Sequence, residues 1–223
     1  MILRFLLPLG LVFATPYKEL SEVLPFKMQS LIAQEDEVML DLLIRKRNVR
    51  TIVEVGSWVG ASTLFMAKRL PQGGKLYAID TWLGCPEQQY RDYAKGMLPT
   101  LYEQFLSNVI HEKLDHVIHP MQMTSLEGAE TLRGVVEPDL VFIDALHQEE
   151  PVYADLCAWY PFVEKQGIIC GDDWNWKDEN GKLSVRAAVR RFAKERGLKI
   201  KTLGTFWWLV NPSQLRANRS TLQ

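Results

Sequence analysis

The stretch TIVEVGSWVGAS, residues 51–62, decides the fold that the sequence predicts. Its first five residues favour a β-strand, with Glu54 as the exception. Gly56 and Gly60 then bracket a tight turn, because glycine adopts backbone conformations that other residues avoid. A helix is expected to begin at about Ala61. The backbone N–H groups at the start of that helix would face whatever binds at the turn.

The alternation of helix and strand continues along the chain. The predicted helices cover residues 30–47, 61–70, 101–110, 126–132, 152–163 and 185–196, and the predicted strands cover residues 51–55, 75–79, 116–119, 139–143 and 167–170. Two further β runs, separated by Gly204, predict an antiparallel pair. Strands that alternate with helices indicate a parallel sheet covered on both faces. We predict an α/β fold: a doubly wound, mostly parallel sheet of about seven strands, with an antiparallel C-terminal edge hairpin.

The composition indicates one globular domain, because 47% of the 223 residues are hydrophobic and 24% are charged. We predict an apolar N-terminal segment at residues 1–20 and a single domain at residues 21–223. The net charge of −1 and the scattered Lys and Arg residues disfavour a nucleic-acid partner. The three cysteines, Cys85, Cys157 and Cys170, lack CxxC spacing, so they indicate neither a zinc site nor a disulfide framework.

The first 14 residues leave two interpretations open. An early Arg4 precedes an apolar run that ends at Ala14, a pattern typical of a short signal peptide. The run is shorter than the roughly 20 residues that a helix needs to cross a bilayer. The alternative is an apolar arm that stays attached and packs on the domain, in a homodimer or against a membrane surface.

Acidic residues stand at or near the ends of four predicted strands. They are Glu54, Asp80, Asp144, Asp172 and Asp173. The carboxyl ends of parallel strands meet at one edge of a sheet, where doubly wound folds bind ligands, so we expect these side chains to converge. The carboxylates of Asp144, Asp172 and Asp173, which come from neighbouring strand ends, would repel one another. A hard divalent cation such as Mg²⁺ relieves that repulsion. The alternative is that Asp172 and Asp173 cap a turn.

His147 follows Asp144 by three residues and is the histidine nearest to the acidic strand ends. An imidazole ordinarily titrates near neutrality, so it could remove the proton of a hydroxyl that a metal has made more acidic. A structural histidine that caps the next helix is the alternative. His111, His116 and His119 surround the third strand and are expected to be structural.

Five segments in order, EVGSWVGAS, AIDTW, MTSLEGAE, FIDALH and GIICGDDW, resemble the class I S-adenosylmethionine-dependent methyltransferases. They are most similar to the small O-methyltransferases that include the macrolide-sugar and related metal-dependent enzymes. The resemblance covers roughly residues 48–210 and implies a Rossmann-like methyltransferase fold, S-adenosylmethionine as cofactor, and a divalent metal on Asp144, Asp172 and Asp173. Many relatives have His at the position of Asp172, so the family pattern supports Asp144 and Asp173 more directly.

The resemblance also implies how the cofactor is held. The implied residues are Glu54, Gly56, Ser57, Gly60, Ser62, Asp80, Trp82, Ser125 and Asp144. Glu54 would anchor the methionine end, directly or through water, and Asp80 would bind the ribose hydroxyls. Trp82 would lie against the adenine and Ser125 would contact the base. Two alternatives stay open: Trp82 as a core residue and Ser125 as a helix N-cap.

These observations predict an enzyme that transfers a methyl group from S-adenosylmethionine to a hydroxyl of a small sugar or phenolic acceptor, with Asp144 and His147 as catalytic residues. Residues 82–100 are expected to form a lid over the acceptor. A nicotinamide-dependent oxidoreductase on a related fold is one alternative, although GxGxxG is absent. A non-catalytic binding module is another. Because the methyl donor is cytosolic, we expect a cytoplasmic protein, with membrane association or export through the N-terminus as alternatives.

Overall fold

The computed structural model describes residues 16–28, 32–84 and 96–212. The helices of these residues are α1 (Gln34–Lys46), α2 (Ala61–Ala67), α3 (Leu101–His111), α4 (Ser125–Leu132), α5 (Glu149–Val163) and α6 (Ser184–Arg196), with 3₁₀ turns at Pro16–Lys18 and Leu98–Thr100. The strands are β1 (Thr51–Val55), β2 (Lys75–Asp80), β3 (Ile118–Gln122), β4 (Leu140–Ile143), β5 (Ile168–Gly171), β6 (Lys199–Leu203) and β7 (Phe206–Val210). The N-terminal run up to Ala14 and most of the predicted lid lie outside the described residues.

The seven strands form one sheet in the order β3-β2-β1-β4-β5-β7-β6. Strands β1 to β5 pair in parallel, and β7 pairs antiparallel with both β5 and β6. The chain leaves β1 towards β2 on one side and later returns to β4 on the other. A crevice therefore lies at the carboxyl ends of β1 and β4, where open α/β sheets bind ligands. The predicted Rossmann-like fold with an antiparallel edge is confirmed.

Both faces of the sheet are buried, because successive residues of a strand point to opposite faces. Ile52 packs with the residues of α1, α2 and α3, whereas its neighbour Val53 packs with those of α4, α5 and α6. Helices on both faces explain why the strands are nearly continuous apolar runs in the sequence. Cys170 is buried and Cys157 is partly buried, and both are free thiols.

Strand β3 and helix α5 are among the elements whose bounds differ from those predicted. Strand β3 extends to Gln122 and includes Pro120, which the β-pattern did not favour. Proline is tolerated there because β3 is at the edge of the sheet, where one side of the strand needs no N–H donor. Helix α5 begins three residues before the predicted Val152, with Glu149 and Glu150 in its first turn. Acidic residues are favourable at that end of a helix dipole.

No helix among the described residues is both long and apolar enough to cross a membrane.

Candidate active site

A cavity of about 630 Å³ lies at the carboxyl ends of the parallel strands. Its wall is built by the turns that follow β1, β2, β3 and β4 and by the first two turns of α5. Among the residues predicted to bind a cofactor, those that line this cavity are Gly56, Asp80, Ser125 and Asp144. The sequence patterns therefore placed four residues from four separate segments in one cavity.

The turn after β1 is pressed against the end of β4. Gly56 has φ +89°, and a Cβ at this position would lie 2.1 Å from the backbone oxygen of Asp144. Gly60 has φ +95° and precedes α2, where a Cβ would lie 3.2 Å from the ring of Phe105. Glycine is required at Gly56 because no side chain fits between the two backbones. The backbone of the turn forms the cavity wall for this reason.

Glu54 lies beneath this turn and is fully buried. Its carboxylate accepts hydrogen bonds from the hydroxyls of Ser57 (2.8 Å), Ser62 and Thr63. Burial raises the pKa of Glu54 to about 7, although the three hydroxyls act in the opposite direction. The predicted residues Ser57 and Ser62 therefore bind Glu54 with their side chains, and Thr63 is a further ligand of this carboxylate that the sequence did not indicate.

Asp80 ends β2 and lines the cavity. Its Oδ2 accepts hydrogen bonds from the backbone N–H groups of Ser57 and Trp58, both at 2.9 Å, and its Oδ1 accepts one from Trp82 at 2.7 Å. Burial raises the pKa of Asp80, and these backbone donors oppose the rise. Asp80 thus connects two strand-end turns and holds its carboxylate in a fixed orientation at the cavity wall.

Trp82 lies in the core, which is the alternative that the sequence left open. Its side chain is 2% exposed, and its ring centroid lies 4.6 Å from that of Tyr102 and 4.8 Å from that of Phe105. Its Nε1–H donates to the backbone oxygen of Trp58 at 2.8 Å. Trp58, rather than Trp82, is the tryptophan that lines the cavity. A tryptophan between the two turn glycines was the signal that could have identified it.

Ser125 lines the cavity at the start of α4. The interpretation of Ser125 as the N-cap is wrong, because Thr124 is the N-cap and forms a capping box with Glu127. The Ser125 hydroxyl accepts a hydrogen bond from Nε1–H of Trp159 at 2.9 Å and donates one to Asp155. Asp155 also lines the cavity, and burial raises its pKa to about 6. Sequence reasoning missed Asp155, an acidic residue within an otherwise apolar helical pattern.

Three of the predicted catalytic and metal-binding residues meet beside the cavity. Asp144, His147 and Asp173 each present one ligand atom, and these atoms all lie within 4.8 Å of one another. Nε2 of His147 lies 2.8 Å from Oδ2 of Asp173, and the His147 ring stacks on Trp176 with centroids 4.7 Å apart. Burial raises the pKa of Asp144 well above its ordinary range, and Asp173 is the neighbouring charge that contributes most.

Asp172 points to a different partner. Its carboxyl contacts that of Asp36, a residue in the first turn of α1 that is 1% exposed. Burial raises the pKa of Asp36 to about 9, with the charge of Asp172 as the next cause. Asp172 and Asp173 were alternatively expected to cap a turn. Instead, Asp173 contacts His147 and Asp172 contacts Asp36. The sequence did not indicate Asp36, because acidic residues are common in the first turn of any helix.

The acids of this region fit a divalent cation. None of the ion pairs found among the described residues joins Asp36, Asp144, Asp172 or Asp173 to a lysine or arginine. The buried Oδ1 atoms of Asp36 and Asp172 accept no hydrogen bond from an N–H or hydroxyl group of the described residues. Carboxylate oxygens with one imidazole are a ligand set that Mg²⁺ or Mn²⁺ accepts.

Similar folds occur in solved structures. An O-methyltransferase from Bacillus cereus in complex with SAH is 16% identical, with a TM-score of 0.56 over 88% of this chain and 87% of that chain. The O-methyltransferase TomG from Streptomyces achromogenes, involved in tomaymycin synthesis and in complex with SAM, is 20% identical, with a TM-score of 0.57 over 81% and 82%. A methyltransferase from Geobacter sulfurreducens is 16% identical, with a TM-score of 0.55 over 80% and 78%.

A family model described as a methyltransferase domain matches residues 53–174. The matched range starts within β1 and ends just after Asp173, so it contains the cavity turns and the acidic strand ends. It covers more than half of the sequence. The chain belongs to this family of methyltransferase domains.

Proposed function

We propose that this protein transfers a methyl group from S-adenosylmethionine to a hydroxyl of a small molecule. One observation carries the proposal: Asp144 lines the cavity and also belongs to the trio with His147 and Asp173. A methyl donor in the cavity and an acceptor at the trio would therefore meet at Asp144. Methyl transfer needs such a meeting point, because the acceptor oxygen must lie in line with the methyl carbon and the sulfur.

The cavity residues suit the donor. The glycine turn would present its backbone to the methionine end, Asp80 would bind the ribose hydroxyls, and Ser125 with Asp155 would offer polar groups to the base. Glu54 would act from below, by holding the turn in place through Ser57 and Ser62. The SAH and SAM bound to the Bacillus cereus and Streptomyces achromogenes proteins support this choice of donor.

His147 is the residue that we assign as the base. The acceptor oxygen forms its bond to the methyl carbon while the carbon–sulfur bond breaks, and the hydroxyl proton passes to the imidazole ring of His147. Nε2 of this ring lies 2.8 Å from Oδ2 of Asp173, so the carboxylate would hold the Nε2–H and stabilise the imidazolium that forms. A divalent ion held by Asp144 and Asp173 would supply further acidity to the acceptor hydroxyl.

The acceptor class follows from the surface beside the trio. Trp176 stacks on the His147 ring, so an aromatic face adjoins the base. The flat ring of a phenol and the C–H face of a sugar can both pack on such a surface. We propose a phenolic or sugar hydroxyl as the methylated group.

Calorimetric titration of the purified chain with S-adenosylhomocysteine and with NADH tests the donor. We expect saturable binding of S-adenosylhomocysteine and none of NADH. Binding of NADH alone would overturn the proposal and favour the oxidoreductase. Labelled S-adenosylmethionine, offered with panels of phenols and sugars and with either MgCl₂ or EDTA, then tests the acceptor and the metal. Labelled product that forms equally well in EDTA would remove the cation from the mechanism.

A further inference from the structure

Helix α3 packs against the turn after β1 and carries three polar side chains that are almost wholly buried. Gln104 is 7% exposed, and Ser107 and Asn108 are fully buried. Burying a polar side chain is costly unless its hydrogen bonds are made, so the partners of these residues indicate what they hold. The proposed reaction uses none of the three.

These side chains hold residues 24–27, a segment before α1 that we call the strap. Oγ of Ser107 accepts a hydrogen bond from the backbone N–H of Leu24 at 2.9 Å. Nε2 of Gln104 donates one to the backbone oxygen of Pro25 at 3.0 Å. The strap is therefore fixed to α3 through its backbone, whatever its own side chains are.

The amide of Asn108 connects the strap to the cavity turn. Its Oδ1 accepts hydrogen bonds from the backbone N–H of Lys27 and from Nε2 of Gln104, both at 3.0 Å. Its Nδ2 donates to the backbone oxygens of Lys27 and Val59, both at 2.9 Å. Val59 precedes Gly60 in the cavity turn. All four hydrogen-bonding positions of the amide are thus used, and they join two segments that are distant in the sequence.

The contact with Asn108 reaches the turn from outside the cavity. The neighbouring backbone groups of the turn are held from β2 and the turn that follows it, because Asp80 accepts from the N–H groups of Ser57 and Trp58 and the Trp82 ring donates to the Trp58 oxygen. None of the described residues that line the cavity belongs to the strap or to α3. A ligand in the cavity would therefore affect the strap through the turn rather than by direct contact.

We propose that Asn108 is a positioning residue of the donor site: it joins the strap to the turn, so that the strap must be in place for the turn to hold the methyl donor. The inference rests on the donor of the proposed function and adds a consequence that methyl transfer does not require. Because coupling between two sites is reciprocal, donor binding should in turn keep the strap on α3.

Hydrogen exchange of the full chain, read by mass spectrometry with S-adenosylhomocysteine as the probe, tests this coupling. We compare a peptide over residues 20–28 with a peptide over α6, which packs on the opposite face of the sheet from α3. At ten times the dissociation constant measured by calorimetry, the ligand should slow exchange of the strap peptide by up to about tenfold, because the strap then opens only after the ligand leaves. The α6 peptide should slow by less than about twofold.

Two variants of α3 separate the link from the strap itself. Asn108→Ala breaks the link, so at ten times its own dissociation constant the strap peptide should respond by less than about twofold. The dissociation constant of S-adenosylhomocysteine should rise by at least about fivefold.

Ser107→Ala is the matched control, because it frees the backbone N–H of Leu24 but leaves every hydrogen bond of Asn108 in place. Its strap peptide should exchange faster without the ligand, yet show the same slowing on binding as in the unaltered protein. Its dissociation constant should stay within about twofold, since a strap that opens rarely costs little affinity.

The possible failures are distinct. If S-adenosylhomocysteine binds but the strap and α6 peptides of the unaltered protein respond equally, the coupling is wrong and the donor site stands; this result does not depend on any variant. If Asn108→Ala keeps the full response, the coupling does not pass through Asn108 and the role given to it is wrong. If calorimetry detects no binding of S-adenosylhomocysteine to the unaltered protein, the proposed donor and the coupling are both wrong.

Discussion

Nε2 of His147 lies 2.8 Å from Oδ2 of Asp173, so the residue assigned as base and an acid at the end of β5 are joined directly. The two residues come from different strand-end loops, and the parallel sheet brings those loops together. A carboxylate in this position fixes the imidazole ring and stabilises its protonated form. The pair is the part of the site that links the proposed cation to the proposed proton transfer.

Replacing His147 should slow methyl transfer without weakening the binding of the methyl donor. For His147→Ala we expect methyl transfer to fall by about 100-fold or more, because a positioned base typically contributes that much. The dissociation constant of S-adenosylhomocysteine should stay within about twofold, since His147 is not among the described residues that line the cavity. Single-turnover rates and calorimetry measure the two effects. A variant with undiminished rate would exclude His147 as the base.

Asp173→Asn tests whether Asp173 binds the proposed cation, and it leaves the backbone conformation unchanged. Asp173 has φ +65°, a left-handed conformation that asparagine also tolerates. We expect Mg²⁺ affinity to drop by at least about tenfold and Mg²⁺-stimulated turnover to be lost, because one anionic ligand is removed. Asp178→Asn, which changes an acid in the following loop, serves as the control. Equal Mg²⁺ affinity in both variants would show that the ion binds elsewhere or not at all.

Glu54 should make the apo protein less stable as the pH rises. Its folded pKa of about 7 lies above its ordinary value of 4.5, so the folded state holds the proton more tightly. The corresponding stability is present below about pH 4.5 and is lost as the pH rises through 7, with a slope of at most about 1.4 kcal/mol per pH unit. Urea denaturation between pH 4 and 8 measures this effect. The free energy of unfolding should decline less steeply with pH for Glu54→Gln than for the unaltered protein. An identical pH dependence for both proteins would contradict the assignment.

Glu127 is a control of opposite sign for the same measurement. The Thr124 hydroxyl lowers the pKa of Glu127 within the capping box. Its contribution to stability is present at neutral pH and is lost as the pH falls through the lowered folded pKa. Glu127→Gln should therefore change the acid side of the stability curve and leave the neutral side parallel to that of the unaltered protein.

Gly56→Ala should lower the free energy of unfolding far more than Gly134→Ala does. At Gly134, which has φ +71° and open space around it, alanine meets only backbone strain, about 1–2 kcal/mol. At Gly56 the same change adds a clash with the backbone oxygen of Asp144, so we expect a larger loss of unfolding free energy. Loss of S-adenosylhomocysteine binding should accompany it, because the turn lines the cavity. Similar losses of stability at the two positions would mean that the turn relaxes.

Local patterns were sufficient for much of this protein. Residues 51–62 fold as strand, turn and helix because β-forming residues, two glycines and helical spacing each act within a few residues. The order of strands and helices then placed Asp80 and Asp144 at a common sheet edge, since parallel strands share their carboxyl ends. Fold class and the general location of the site were therefore determined by the sequence alone.

The tertiary structure decided which side chains reach that site. Trp82 is buried in the core and Trp58 lines the cavity, although both are tryptophans beside a strand end. Asp155 and Asp36 joined the site from α5 and α1, where their sequence neighbours gave no sign of it. Periodicity and turn chemistry are local, whereas the contact of Asp36 with Asp172 depends on how α1 packs against a loop far away in the sequence. Only the packed fold determines such a contact, because its free energy comes from burial and charge shared between distant segments.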